Sequence, residues 1–385
     1  MRGAINDPVY LDYNATTPVA SEVADAVVPF LREHFGNPSS SHIYGERAKQ
    51  AVEQARGEVA ALIGAKAENI IFTGCATEAN NLAILGVARA LGGQKKHLIT
   101  STIEHPSVMQ PFLRLCDEGW EVTILPVDGT GRVEPQDVEK ALRPDTVLVS
   151  IMHANNEVGT IQSIAEISRL TRPRGILLHS DAAQSAGKIE VNVEYLGVDL
   201  LTLAGHKFYA PKGVGALFVR DTARVASVMA GAGHEYCLRP GTENVPFIVA
   251  LGCAARLAND HLIETQVRLK TLRDQLHLQL QAGIPDLVLN GHAQARLPNT
   301  LNVSFPHVSG HELLEIAALE VAASTGSACH SGDHAVSGVL GAMGVSKENA
   351  VGAIRLSVGN YTSAADIDRA ARALIAAWNQ LSLSR

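Results

Sequence analysis

D-L-L-T-L-A-G-H-K-F-Y-A-P-K-G (residues 199–213) opens as a short apolar run of strand type and breaks at Ala204-Gly205. It presents His206 and Lys207 before an aromatic pair and a Pro/Gly-rich turn. A lysine at the end of a buried strand is desolvated, which lowers its pKa and makes its amine a nucleophile toward an aldehyde. Taken alone, G-H-K favours an ordinary surface lysine at a strand end. The ends of the neighbouring strands must decide.

Upstream, I-I-F-T (70–73), H-L-I-T (97–100), E-V-T-I-L-P (121–126), T-V-L-V-S-I-M (146–152) and G-I-L-L-H-S (175–180) are further short apolar strands. Helical segments lie between them, over 106–118 and 164–172 and after G-C-A-T, where Thr77 reads as the cap. This alternation predicts an α/β fold, a mostly parallel sheet flanked by helices, with ligands beyond the carboxyl ends of its strands. Nearer the N-terminus, Y-L-D-Y-N-A-T-T-P leads into a helix over 21–34 with Ser21 as its N-cap. A second helix follows, its small and apolar residues Ala48, Ala51, Val52, Ala55, Val59 and Leu62 on one face. After Val219 the rhythm weakens and passes through R-P-G-T-E-N-V-P (239–246) into one long helical stretch over 248–282. The N-V-S-F strand, the A-S-T-G-S-A-C-H-S-G loop, the I-R-L-S-V strand and a closing helix over 364–381 complete the chain. The expected division is a large domain over 16–255 and a smaller α+β domain built from 1–15 and 256–385.

A chain of 385 residues with 46% apolar and 18% charged residues is long enough for two cores. Its net charge of -7 gives no reason to expect nucleic acid or an anionic membrane as partner. The N-terminal M-R-G-A-I-N-D-P-V-Y lacks the apolar core of a signal peptide, and no apolar run reaches the roughly 18 residues of a spanning helix. The expectation is a cytoplasmic protein. Five widely spaced cysteines form neither a disulfide framework nor a C-x-x-C metal site. Cys75, Cys116 and Cys253 read as small buried residues; Cys237 is undecided.

The expected strand ends carry Thr77, His105, Asn155-Asn156, Asp181 with Gln184, and His206-Lys207. Each has a structural reading of its own as a cap or turn residue; together they match the needs of pyridoxal phosphate. Lys207 supplies an amine for the aldehyde and Asp181 a carboxylate to keep the ring nitrogen protonated. Thr77, opening a helix, offers donors and the helix dipole to the phosphate. Gln184 and Asn156 are donors for the phenolate oxygen, and His105 is a flat partner that stacks on the ring and exchanges protons. Glu78, Asn80 and Asn81, near Thr77, admit a reading as a second acid or amide site, but read rather as first-turn residues complementing the helix N-terminus.

In these stretches, and in F-G-N-P-S-S-S-H, A-T-E-A-N-N-L-A, E-H-P-S-V, H-A-N-N-E-V-G, H-S-D-A-A-Q-S and S-T-G-S-A-C-H-S-G, the chain resembles the cysteine desulfurases of the class V aminotransferase group. These are fold-type-I pyridoxal-phosphate enzymes, and the resemblance runs over nearly the whole length. It implies Lys207 as the Schiff-base lysine, Asp181 at the pyridinium nitrogen and His105 over the ring. It also implies Ala76, Thr77 and His206 at the phosphate, with Thr242 reaching the phosphate of the neighbouring subunit in a homodimer. Arg355 matches the arginine that holds the substrate carboxylate, beside Asn156, and Cys329 the cysteine that takes the sulfur. The implied substrate is L-cysteine and the implied recipient a sulfur-acceptor protein such as an iron-sulfur scaffold.

Cys329 lies in a run of small residues suited to an exposed loop, beside His330 and His334, a setting that favours the reactive thiolate. Three candidate ligands within six residues, with no fourth nearby, make a poor zinc pattern. Two departures from the family stand out: Gly74-Cys75 replaces the usual Ser-Gly before A-T-E, and Ala204 stands where many desulfurases carry a phosphate-binding serine. Three rivals remain. Selenocysteine lyases share R-P-G-T-E-N and G-H-K-F-Y, a plain aminotransferase of the same fold would not need Cys329, and a non-catalytic scaffold would not need Lys207.

Overall fold

The computed structural model describes residues 7–91, 93, 96–325 and 337–383. Its strands are β1 (Val9–Tyr10), β2 (Ile70–Thr73), β3 (His97–Ser101), β4 (Glu121–Leu125), β5 (Thr146–Ser150), β6 (Leu177–Asp181), β7 (Leu200–Ala204), β8 (Gly215–Val219), β9 (Val288–Asn290), β10 (Thr300–Ser304), β11 (Val321–Ala322) and β12 (Ala353–Ser357). Its helices are α1 (Ser21–Arg32), α2 (Ile43–Leu62), α3 (Ala76–Leu91), α4 (Pro106–Asp117), α5 (Pro135–Ala141), α6 (Ile164–Thr171), α7 (Val193–Leu196), α8 (Val245–Asp260), α9 (Leu262–Gly283), α10 (Gly310–Ile316), α11 (Gly338–Ala342), α12 (Lys347–Val351) and α13 (Ala364–Leu383).

Seven strands form the central sheet in the order β2-β8-β7-β6-β5-β3-β4. Side chains of successive strand residues point to opposite faces, and here both faces are dry. Ile71, Leu98, Leu148, Leu200 and Leu217 belong to one apolar cluster, with α3 and α4. Their neighbours Ile70, Ile99, Val149, Leu201 and Phe218 belong to another, with α2 and α8. The expected α/β fold is therefore present, with one strand running against the rest. β8 pairs antiparallel with both β2 and β7. It is G-A-L-F-V, which in sequence merges with the preceding P-K-G-V turn.

A third cluster joins Val9 and Leu11 to the apolar faces of α9, β10, β12 and α13. β1 pairs in parallel with β11, and β10 is flanked by β9 and β12, antiparallel to both.

Several local expectations need correction. Ser21 is the first residue of α1 rather than its cap; Ala20 holds the cap position and makes no side-chain bond. Thr77 lies inside the first turn of α3, which begins at Ala76. The long helix expected over 248–282 is two helices, broken where His261 leaves helical geometry (φ -116°, ψ 13°). Cys75 and Cys116 are exposed and Cys253 is half-buried; Cys116 follows the buried Leu115 on α4 and is turned to the solvent face. Among the described residues, no helix is long and apolar enough to cross a membrane.

Candidate active site

β6 ends at Asp181, which is buried. Its Oδ1 accepts the Ala183 N–H at 2.9 Å and its Oδ2 accepts a hydrogen from the Asn80 amide at 2.8 Å, so the carboxylate is oriented before any ligand arrives. On the adjoining β7 the buried Ala204 closes the strand, and one 3-10 turn, Gly205–Lys207, follows. A Cβ on Gly205 would lie 3.0 Å from the Val214 carbonyl oxygen, a tight approach that favours glycine where the chain turns against the approach to β8. Half-buried Lys207 donates from Nζ to the carbonyls of Asn14 (2.6 Å) and Ala15 (2.8 Å).

His105 precedes Pro106 and caps α4: its Nδ1 accepts the Ser107 N–H at 3.1 Å. A backbone N–H can only donate, so Nδ1 carries no hydrogen and the ring proton sits on Nε2. The Ser107 hydroxyl, 2.8 Å from the same nitrogen, donates to it as well and in turn accepts from Asn80 at 2.8 Å. Asn80 thus ties the carboxylate of Asp181 to the tautomer of His105. The imidazole reaches solvent, yet the protein packed around it desolvates it and lowers its pKa; Asp181 opposes that shift and Lys207 adds to it.

Ala76 and Thr77 form the first turn of the 16-residue α3, whose leading N–H groups have no partner within the helix. β8 lies directly against this turn because Gly215 has no side chain: a Cβ there would fall 2.9 Å from the Cys75 carbonyl carbon and 3.1 Å from the Ala76 nitrogen. Glu78 accepts from the Gly74 N–H (2.7 Å) and from Arg239 (2.8 Å). His206 Nδ1 stands 3.2 Å from the Thr16 hydroxyl. Burial, and then Lys207, Lys212 and Lys188, lower the His206 pKa to about 4, so it is a neutral donor near pH 7.

Arg355, buried on β12, donates from Nη1 to the Asn156 carbonyl (3.1 Å) and from Nη2 to Asp12 (2.7 Å). Its buried Nε has no hydrogen-bond partner among the described residues. Its backbone pairs with Ser324 through N–H to O at 2.7 Å. Gln184 is buried and donates from Nε2 to the Asn14 carbonyl at 3.0 Å. Asn14 also bonds the Asn156 carbonyl through Nδ2 at 3.1 Å, so the N-terminal segment is the hub joining Lys207, Gln184 and Arg355.

A helix N-terminus for an anion, an oriented buried carboxylate and a lysine amine on neighbouring strand ends are what an aldehyde-bearing pyridine phosphate requires. The residues present fit pyridoxal phosphate. Ala204 offers no hydroxyl, which leaves that side of the phosphate to backbone groups and His206. Thr242 is exposed, in the segment that follows the Glu78-paired Arg239. Cys329, His330 and His334 lie outside the described residues.

Asn80, Ser107, Asn14 and Asp12 were not foreseen as parts of the site. Asn80 had a signal, a lone amide on the face of α3 shared with Ala79, Ala83 and Val87. The others depend on contacts across the chain: Asn14 lies 193 residues from Lys207.

Beneath the site, His153 and His179 are fully buried and keep neutral rings, bonded to Ser185 (2.9 Å) and Ser150 (2.7 Å). Burial lowers both pKa values to about 4. The unfolded imidazoles titrate near 6.5, so the stability they confer is fully present above about pH 6.5 and is lost as pH falls toward 4. Glu104, pushed up to about 8 by burial, opposes them with one proton. The melting temperature of the apoprotein is expected to fall steadily from pH 6.5 to 4.5, by an amount on the order of a few kcal/mol of stability. A melting temperature that is flat or rises across that window would contradict this.

The family model described as aminotransferase class-V matches residues 9–370. The cysteine desulfurase IscS of Dictyoglomus turgidum is 48% identical over 361 residues, covering 94% of this chain and 92% of that protein. A solved NifS-like protein superposes with a TM-score of 0.90 at 37% identity, over 98% of this chain and 100% of its own. A structure described as SspA in complex with cysteine does so with a TM-score of 0.82 at 37% identity, over 92% and 99%.

Proposed function

Because this chain belongs to the aminotransferase class-V family and is a pyridoxal-phosphate-dependent cysteine desulfurase, we propose that Lys207, Asp181 and His105 run its carbon chemistry and that Cys329 takes the sulfur. The observation that carries this assignment is the convergence of the three at adjoining strand and helix ends, with Asp181 and His105 joined through Asn80 and Ser107.

Bound pyridoxal phosphate supplies an electron sink for negative charge at the substrate Cα. Lys207 would hold its aldehyde, and its amine, when free, would serve as the base for the substrate Cα proton. Asp181, its orientation fixed by Asn80, holds the ring nitrogen protonated. His105 keeps its proton on Nε2, because both donors of Ser107 point at Nδ1. It is therefore a neutral donor that gives and recovers a proton at that one atom.

Ala76, Thr77 and His206 bind the phosphate, Ala204 contributing backbone alone; Gln184 and Asn156 serve the phenolic oxygen. Thr242 reaches the phosphate of a neighbouring subunit in a homodimer. Arg355, with Asn156 beside it, takes the substrate carboxylate, a task for which Nε has no competing partner among the described residues and for which Asp12 must share Nη2. Cys329, five residues after Ser324 in the chain, takes the sulfur. Its thiolate attacks the substrate sulfur: the C–S bond breaks, an S–S bond forms, and cysteine plus enzyme thiol become alanine plus enzyme persulfide with no outside reductant.

The sulfur then passes to an acceptor protein, of the iron-sulfur scaffold kind, in the cytoplasm. Residues 16–255 form the large cofactor-binding domain, with 1–15 and 256–385 the smaller one. The packing of Val9 and Leu11 with α9, β10, β12 and α13 supports that division.

Incubation of the reconstituted enzyme with L-cysteine is expected to yield one alanine per persulfide formed, with no keto acid needed. Alanine that appears only with a keto acid present would overturn this in favour of an aminotransferase. Preferred turnover of L-selenocysteine that survives loss of Cys329 would move the assignment to a selenocysteine lyase.

A further inference from the structure

Lys188 is a buried amine without a role in the scheme above, and burial together with the nearby Lys207 and Arg355 lowers its pKa to about 7. The residue is 6% exposed, and Nζ donates to the Gln184 carbonyl (3.0 Å) and to Gln184 Oε1 (3.1 Å). The charged groups that act on it, Lys207 and Arg355, are both positive, and His206 faces it as well. Burying an amine among like charges with no carboxylate beside it is costly, so a purely structural role is poorly served by lysine.

The bonds of Gln184 show what the amine does. Oε1 accepts from Lys188, while Nε2 donates to the Asn14 carbonyl at 3.0 Å. That same carbonyl accepts from Lys207 Nζ at 2.6 Å. Turned over, the amide would set its oxygen against a carbonyl oxygen and its NH2 against an amine, so both ends specify one orientation. The turn carrying Lys188 is pressed onto the turn carrying Lys207 through Gly187 (φ +72°), whose Cβ would lie 2.8 Å from Phe208 Cβ. Lys188, Gln184, Asn14 and Lys207 are one hydrogen-bonded chain.

We propose that Lys188 is a positioning residue: it locks the Gln184 amide with its NH2 turned toward Asn14 and Lys207, fixing the donor that meets the phenolic oxygen of bound pyridoxal phosphate and so setting the pH at which cofactor-bound Lys207 loses its proton. This role rests on Gln184 being a cofactor donor, as assigned above.

The test is a spectrophotometric pH titration of the visible absorption band, without substrate, in reconstituted wild type, Lys188→Met, Gln184→Ala and the double variant. Gln184→Ala should raise the midpoint, because the phenolic oxygen loses a donor. Lys188→Met should raise it by about half a unit or more, and adding it to Gln184→Ala should change nothing further. Lys188→Arg, which keeps the donors, should restore most of the wild-type midpoint. If Lys188→Met does not fold, Lys188→Gln carries the same comparison. An unmoved midpoint in the Lys188 variants overturns the proposal while leaving Gln184 in place. An equal shift with and without Gln184 also overturns it, since the charge would then act directly. An unmoved midpoint in Gln184→Ala alone removes the assignment of Gln184 and the proposal with it.

Discussion

Lys207→Ala is expected to lower cysteine turnover by at least about 10³-fold, because one amine performs two tasks and general-base catalysis alone contributes about 10²–10⁴. The site offers no substitute: Lys188, the other buried amine, is committed to Gln184. Lys207→Arg should be as inactive, since guanidinium keeps the charge but is neither nucleophile nor base near neutral pH. Both variants should bind pyridoxal phosphate more weakly, with an altered visible band. The fold should persist, since Lys207 is half-buried and lies in the 3-10 turn after β7 rather than within the strand. Alanine formation by Lys207→Ala at the wild-type rate would remove this lysine from the mechanism.

Cys329→Ala is expected to lower alanine formation from L-cysteine by at least about 10²-fold, since covalent catalysis is lost at the step that breaks the C–S bond. Its signature differs from that of Lys207→Ala. The cofactor should bind normally, the absorption midpoint should stay where it is in wild type, and exchange of the substrate Cα proton with solvent should continue. In the proposed scheme Lys207 and Asp181 act at carbon and Cys329 at sulfur. A Cys329→Ala enzyme that makes alanine and persulfide at the wild-type rate would show that another thiol serves, and the exposed Cys75, beside the first turn of α3, is the first to examine.

Much of the fold was legible because both faces of the central sheet are covered, so its inner strands read as short, largely apolar runs, with Asp181 closing one and Lys207 following the end of another. Asp181 and Lys207 could be placed at strand ends for that reason. β8 was not legible: its five residues follow a turn rich in proline and glycine, and nothing local says that the chain doubles back between β2 and β7. His105 was assigned to the ring, yet its side chain also caps α4, a task usually read from serine, threonine or aspartate. In the sequence Asn80 reads as a first-turn residue because its position near Thr77 is more visible than its place on the buried face of α3. Lys188 and Asn14 gave no signal, since their meaning comes from one shared carbonyl and from Gln184. The exposure of Cys75 and Cys116 turned on which side of a turn or helix each thiol faces, which composition does not record.

The sulfur removed at the Lys207 site is expected to be carried on Cys329. The most direct measurement is mass spectrometry of the peptides of reconstituted enzyme after a single turnover with L-cysteine and trapping of persulfides, with alanine counted in the same sample. The expected result is one added sulfur on the peptide containing Cys329, equal in amount to the alanine and absent from Cys329→Ala. Sulfur on a peptide containing Cys75, Cys116, Cys237 or Cys253 instead, or alanine without protein-bound sulfur, would contradict it.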